Sequence, residues 1–236
     1  KILCEKPIGL DLDQAHLALL TINKYKTLFY EAIAYRSHPQ TKELLELING
    51  GVIGQISRIE ASFGFKIKRI KKDSRLFNKD LGGGAILDVG CYPISFFNQF
   101  CKKNEQLKLI KSEGTFSSTG VDDESSVEIL IGKNIKASCK VSLKNNLDNS
   151  CKIYGEKGII NIPAPWLPSR KSYIEVIYKN SYYKKFITSK KSLYAEQIEV
   201  ISNIFLGNCK DDKNYVDINE SVEIMKILDS WKISLR

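Results

Sequence analysis

The chain is poor in the residues that announce chemistry on their own. It has two histidines, His16 and His38, and one methionine, Met225. Its cysteines stand at positions 4, 91, 101, 139, 151 and 209, and none forms a CxxC pair. That scatter excludes a compact Cys/His metal site, so no metal is expected. It fits thiols that serve as small core residues in a reducing cytosol. No apolar run approaches the ~18 residues of a membrane helix, so no membrane partner is expected either. No GxGxxG turn occurs; the nearest approach, GGVIG at 50–54, follows a helical pattern instead of opening one. Position 1 is Lys1, not methionine, and the chain opens directly in KILC, an apolar run typical of a buried parallel strand. It therefore reads as the C-terminal part of a longer protein, with any phosphate-cradling turn upstream.

What is present is ordinary for a globular chain: 43% hydrophobic and 27% charged residues over 236 positions. The net charge of +9 invites a nucleic-acid reading. The lysines, however, are spread along the whole length. The dense run KIKRIKKDSR at 66–75 reads first as a solvated loop, with an anion or phosphate contact as the alternative. A single-strand-binding surface needs aromatics interleaved with cations, and only YKNSYYKKF at 178–186 offers that. Its pattern suits an edge hairpin with lysines on the wet face, and no nucleic-acid partner is expected.

Along the chain, KILC is followed by a helix. Asp11 is placed to cap it, and Leu12, Ala15, Leu19 and Ile22 recur at helical spacing. TLFYEAIAY (27–35) then reads as a second buried strand. A strand, a helix and a strand in so short a span make a parallel crossover unit. Pro39 opens another helix, which Asn49, Gly50 and Gly51 stop. From Val52 the pattern changes to strands: ISRIEASFGFKI, then runs near 107–118, 125–131, 134–144, 150–154, 158–162, 173–179 and 182–188. Short turns between them imply a mostly antiparallel sheet. Two amphipathic helices, about 192–206 and 219–232, close the chain. The fold class is thus α/β plus α+β. Residues 1–38 are expected to be the C-terminal part of a Rossmann-type domain, and 39–236 a large open sheet domain with flanking helices.

The most informative stretch is GGGAILDVGCYP, from Gly82 to Pro93. Asp88 and Tyr92 lie four residues apart, on one face of a helix and one turn from each other. A carboxylate and a phenol so arranged, beside a glycine turn that admits close approach, look like a proton-handling site. CEKP (4–7) puts Lys6 at the end of the first strand, where open α/β sheets bind ligands.

EKP after a strand, EAIAYRSHP from Glu31, and GGGAILDVGCYP further on resemble, in order and spacing, the Gfo/Idh/MocA family of oxidoreductases. The look is closest to members of the glucose–fructose oxidoreductase, dihydrodiol dehydrogenase and NADP-dependent xylose dehydrogenase type. Those members have tyrosine where inositol dehydrogenases have histidine. The resemblance implies an NAD(P)-dependent dehydrogenase or reductase that moves a hydride between nicotinamide and a secondary alcohol or carbonyl of a sugar, polyol or dihydrodiol. It implies Tyr92 as acid/base, Lys6 as its helper and Asp88 as the acidic residue one turn before. Glu5, Lys6 and Pro7 would lie beside an NAD or NADP nicotinamide, with Arg36 and Arg75 near the cofactor. The family commonly has Trp-Arg where this chain has Ser74-Arg75. In the family the open sheet pairs subunits, which implies a homodimer or homotetramer through roughly 107–188. Alternating residues such as Val127, Ile129 and Ile131 are the candidates for a face in need of cover.

In physical terms, a phenol of pKa ~10 is a poor base at neutral pH. One ammonium at ~4 Å, in an effective dielectric near 20, supplies about 4 kcal/mol toward the phenolate. Lys6 beside Tyr92 is expected to play that part, with Asp88 orienting. The competing reading is a non-catalytic sugar- or dinucleotide-sensing member of the same fold. Such a protein has no need of the Lys6, Asp88 and Tyr92 set. These 236 residues alone are expected to bind NAD(P) weakly or not at all and to lack dehydrogenase activity.

Overall fold

A computed structural model of the chain describes residues 1–179, 181–208 and 215–235; Cys209 falls outside them. The order of elements follows the hydrophobic pattern closely. Strand β1 (Ile2–Cys4) is parallel to β2 (Phe29–Glu31), and helix α1 (Leu12–Lys24) connects them. The Asp11 carboxylate caps α1 by accepting from the Gln14 amide at 2.9 Å. Helix α2 (Pro39–Asn49) starts with Pro39, and His38 Nδ1 accepts from the Gln40 amide at 3.1 Å. Burial holds the His38 pKa below its usual value.

The second strand is shorter than TLFYEAIAY suggests. It ends at Glu31, and a 3-10 turn spans Ala34–Ser37. Ile33, Ala34 and Tyr35 are apolar because they are packed in the core, each 1% exposed, and not because they extend a strand. An apolar run of this length reports burial without reporting geometry.

Eight further strands form one sheet: β3 (Ile56–Gly64), β4 (Leu107–Phe116), β5 (Asp122–Ile131), β6 (Ile135–Ser142), β7 (Cys151–Gly155), β8 (Gly158–Ile162), β9 (Lys171–Tyr178) and β10 (Ser181–Thr188). Their order is β10-β9-β8-β7-β3-β6-β5-β4. Every neighbouring pair is antiparallel except β3 and β6. Helix α3 (Cys91–Asn98) follows a wide π-type turn over Ile86–Gly90, and both are buried against one face of this sheet.

That face takes Val127, Ile129 and Ile131, each at most 2% exposed. These residues therefore do not form an open face in need of cover; they are the core. The opposite parity carries Lys111, Glu128, Ser138, Glu60, Lys152, Asn161, Glu175 and Lys184, one residue per strand in continuous register. The outer face is thus a polar ladder. Its apolar part lies at the β8–β10 end, where Ile177, Tyr182 and Phe186 are 44%, 56% and 74% exposed.

The closing helices are α4 (Leu193–Leu206) and α5 (Ile218–Ser234), with strand β11 (Val216–Asp217) just before α5. β11 pairs antiparallel with β2, and α5 packs on α1 and α3. The boundary drawn at residue 38 is therefore bridged by the end of the chain. The cause is the apolar stripe of α5: Val222, Met225, Leu228 and Trp231 need a cover. Polar ties complete the join, Leu12 N to Asp229 Oδ2 at 3.3 Å and Lys232 Nζ to the Leu10 carbonyl at 2.7 Å. No helix among the described residues is long and apolar enough to cross a membrane.

Candidate active site

The Gly82–Pro93 segment is held by backbone contacts that only glycines allow. A Cβ on Gly83 would lie 2.8–2.9 Å from backbone atoms of Asn78 and Leu76. Gly84 sits at φ +120°, and a Cβ there would come within 2.2 Å of the Asp122 carboxylate. That carboxylate accepts from the Ile86 amide at 2.7 Å and so fixes the start of the turn that carries Asp88. Burial pushes Asp122 up to about 6. The Gly84 amide in turn donates to the Leu76 carbonyl, in the 3-10 turn that begins at Arg75. One glycine turn thus places Asp88 and Arg75 together.

Lys6 arrives from the other side. The Ala32 amide donates to the Cys4 carbonyl, which aligns the C-terminal ends of β1 and β2. Beyond them Glu5 is exposed, and the Lys6–Pro7 peptide is cis. The Ile8 amide then donates to Glu31 Oε1 at 3.1 Å. From this loop Lys6 Nζ reaches the Asp88 carbonyl at 2.5 Å and its Oδ1 at 3.5 Å. Arg75 Nη2 meets the same Oδ1 at 2.8 Å. Lys6 Nζ also stands over the Tyr92 ring, 4.9 Å from its centroid. Lys6, Arg75, Asp88 and Tyr92, 86 residues apart at the extremes, therefore form one cluster.

Tyr92 is 7% exposed and walled by aromatic rings: Phe63 edge-on at 5.1 Å and Tyr35 at 6.3 Å. Trp166 backs both, its indole N–H donating to the Ser62 carbonyl. Among the described residues nothing hydrogen-bonds the Tyr92 hydroxyl. Burial drives its pKa well above the usual phenol value, and Cys91, Tyr194, Asp88 and Glu5 add to the rise. The expectation that Lys6 pulls this phenol down is thus corrected. Lys6 covers the ring face and spends its charge on Asp88, so desolvation wins and the phenol is neutral. Cys91 beside it is buried and pushed up to about 12 by the same desolvation, which makes it an inert thiol.

Arg36 does not join the cluster. It is 5% exposed, and its guanidinium is taken up by Glu220 at 2.8 and 3.3 Å, by the Tyr215 carbonyl and by the Ser95 carbonyl. Burial alone would lower its pKa; the Glu220 carboxylate more than offsets that and holds it raised. It clamps α5 to the 3-10 turn after β2 and presents nothing to a ligand. Three residues of the site escaped sequence reasoning: Asp122, Glu31 and Tyr194. Glu31 is an acid in an otherwise apolar strand, a signal that a buried carboxylate leaves, whereas Asp122 opens the polar run at 122–126 and does not stand out from it. Tyr194, an exposed aromatic at the start of α4, carried none.

A family model described as the GFO/IDH/MocA C-terminal domain matches residues 41–161, just over half of the chain. The trans-1,2-dihydrobenzene-1,2-diol dehydrogenase of Xenopus tropicalis is 32% identical over 169 residues, covering 71% of this chain and 50% of that protein. The enzyme of the same name from Danio rerio is 30% identical, over 71% of this chain and 49% of its own. The chain thus spans about half the length of the curated relatives it matches. Among solved structures, KijD10, a 3-ketoreductase from Actinomadura kijaniata in complex with NADP and TDP-benzene, superposes with a TM-score of 0.85 at 19% identity. That superposition covers 99% of this chain and 70% of KijD10. An aldose-aldose oxidoreductase from Caulobacter crescentus reaches 0.83 at 16% identity, over 98% and 69% of the two chains. Likeness at these identities speaks to the fold.

Proposed function

Since this chain belongs to the GFO/IDH/MocA family, we propose that the whole protein is an NAD(P)-dependent oxidoreductase acting on a secondary alcohol or carbonyl of a sugar, polyol or dihydrodiol. The names of its relatives support that range: diol dehydrogenation, ketone reduction with NADP, and aldose oxidoreduction. The observation that carries the proposal is the convergence of Lys6, Arg75 and Asp88 on a buried tyrosine whose hydroxyl has no partner among the described residues. A free phenol in an aromatic wall, with cations beside it, is built to meet an oxygen that gains or loses charge.

The residues that would hold the dinucleotide are Glu5, Lys6 and Pro7, at the carboxyl end of β1. Residues 1–38 would complete the end of its sheet; Ile2 and Leu3, on the edge strand β1, are 43% and 36% exposed. When bound, the nicotinamide supplies the hydride donor or acceptor. The protein's part is the proton. With its pKa held high, Tyr92 is a proton donor, suited to quench the alkoxide formed when a carbonyl is reduced. In the oxidative direction Tyr92 would have to take the alcohol proton as a phenolate, the form that burial disfavours. Lys6, whose ammonium lies 4.9 Å from the ring centroid, would counter that cost in part. Arg75 matters here because it neutralises Asp88, leaving more of the Lys6 charge for the phenol. Asp88 positions both cations.

The test is Tyr92→Phe in the whole protein. Turnover should fall about 10²–10⁴-fold with NAD(P) affinity unchanged, because the ring packing stays and only the proton is lost. Wild-type kcat in the Phe variant would overturn the role. We also place a subunit contact on the outer sheet face, at its apolar β8–β10 end, and place the protein in a reducing cytosol. Phe186→Asp should shift a homo-oligomer toward monomer in light scattering. An unchanged mass would put the contact elsewhere.

A further inference from the structure

The basic run 66–75 has both its ends in the site. β3 delivers Phe63 against Tyr92, and twelve residues later Arg75 returns to Asp88. The base of the loop is tied down: the Lys66 amide donates to Asn146 Oδ1 at 2.9 Å, and the Ile67 amide to the Leu143 carbonyl at 2.9 Å. The Ser74 amide closes a turn on the Lys71 carbonyl at 3.0 Å. With ends pinned on one helical segment, the loop's apex stays within about 17 Å of its anchors, five residues out at ~3.4 Å each.

Its charge is uncompensated. Lys66, Lys68, Arg69, Lys71 and Lys72 are all exposed, with Asp73 as the one acid among them. None of the five cations makes an ion pair among the described residues. The outer sheet face shows the contrast, for there lysines meet carboxylates: Lys140 with Glu124 at 2.9 Å and Lys184 with Glu175 at 3.3 Å. A solvated loop placed anywhere would serve solubility. A loop with this charge, anchored at both ends beside a catalytic phenol, raises the local concentration of anions there.

We infer that the 66–75 loop is the anion-binding part of the substrate site, and that the substrate carries a phosphate group besides its reacting alcohol or carbonyl. This rests on the oxidoreductase reading. The phosphates of the dinucleotide are the other source of such an anion, and the experiment separates the two.

The whole protein, saturated with NADP, is titrated with inorganic pyrophosphate in low and high salt, as wild type and as the Lys68→Gln/Arg69→Gln/Lys71→Gln variant. Expected are salt-sensitive binding to wild type and at least tenfold weaker binding to the variant, with the NADP dissociation constant unchanged. A fall in NADP affinity instead would assign the loop to the cofactor and overturn the inference. So would pyrophosphate binding that ignores the three substitutions, or no binding at all. In the second arm, kcat/KM is measured for a sugar phosphate against its parent sugar. Preference for the phosphate ester should fall at least tenfold in the variant. Turnover of both with equal preference in the two proteins would sink the loop's role and leave the oxidoreductase standing. Loop-dependent pyrophosphate binding without turnover of any alcohol or ketone would do the reverse.

Discussion

Two arginines of this molecule each hold a carboxylate, and they do so to opposite ends. Arg36 is sealed: Glu220 takes two of its nitrogens, and main-chain carbonyls of Tyr215 and Ser95 take more. Arg75 is half exposed, makes one bond to Asp88, and shares that oxygen with Lys6. In the first cluster both terminal nitrogens of the guanidinium are answered by the protein, so its energy goes into joining α5 to the turn after β2. In the second, two cations meet one carboxylate, and the adjacent phenol has no hydrogen-bond partner among the described residues. A buried charge that the protein pairs with its own carboxylate is a clamp; a cluster it leaves half exposed, beside an unbonded phenol, is open to a ligand.

The sharpest way to break this contrast is to remove each arginine in turn. Arg36→Ala leaves Glu220 without its main partner in a largely buried place. The cost should be about 3–5 kcal/mol, a Tm drop of roughly 10 °C for a chain of this size. Activity per folded molecule should hardly change. Arg75→Ala removes a side chain that is 56% exposed. Its stability effect should stay within about 1 kcal/mol, while kcat/KM falls by about tenfold as Asp88 and Lys6 lose their geometry. Thermal melts and steady-state rates on the two variants decide it. The reverse pattern, with Arg36 costing activity and Arg75 costing stability, would mean that the two clusters have been assigned the wrong way round.

Much of this was legible in the residue pattern, and the legible part was local. Asp11 and Pro39 mark their helix starts, and strand alternation locates β4 to β10 within a few residues. The order of three motifs was enough to bring Lys6, Asp88 and Tyr92 together. What failed to show was non-local. Arg36 sits in a motif that points to a ligand, and only the return of α5, 184 residues later, redirects it to Glu220. The Tyr92 pKa depends on Phe63, Tyr35 and Trp166, which come from three separate parts of the chain. Pairwise reasoning about Lys6 gave the direction of one influence; the summed desolvation, which outweighs it, needs the packed wall.

Glu31 lies between the two clusters and sharpens the comparison to a single titration. It is 3% exposed on β2, accepts from the Ile8 amide, and feels Lys6 of the open cluster and Glu220 of the sealed one. Ser221 also faces it from α5, and the thiols of Cys4 and Cys91 lie within its field. Burial pushes its carboxyl from 4.5 up to about 7, against the nearby Ser221 hydroxyl, the Ile8 hydrogen bond and the Lys6 charge. Between those two values the folded protein binds a proton that the unfolded chain has released. Stability therefore falls as pH rises from about 4.5 to about 7, and above that the full cost of the buried charge remains, about 3 kcal/mol. Glu31→Gln keeps an oxygen for the Ile8 amide and abolishes the titration. The difference in unfolding free energy, variant minus wild type, should be constant below pH 4.5, grow in favour of the variant up to pH 7, and level off above it. Urea titrations across pH 4 to 8 measure that difference, in which the depressed carboxylates Glu124 and Glu175 cancel. A difference flat across the range would mean that Glu31 is already ionised in the fold, and that Lys6 is shared between Asp88 and a second carboxylate.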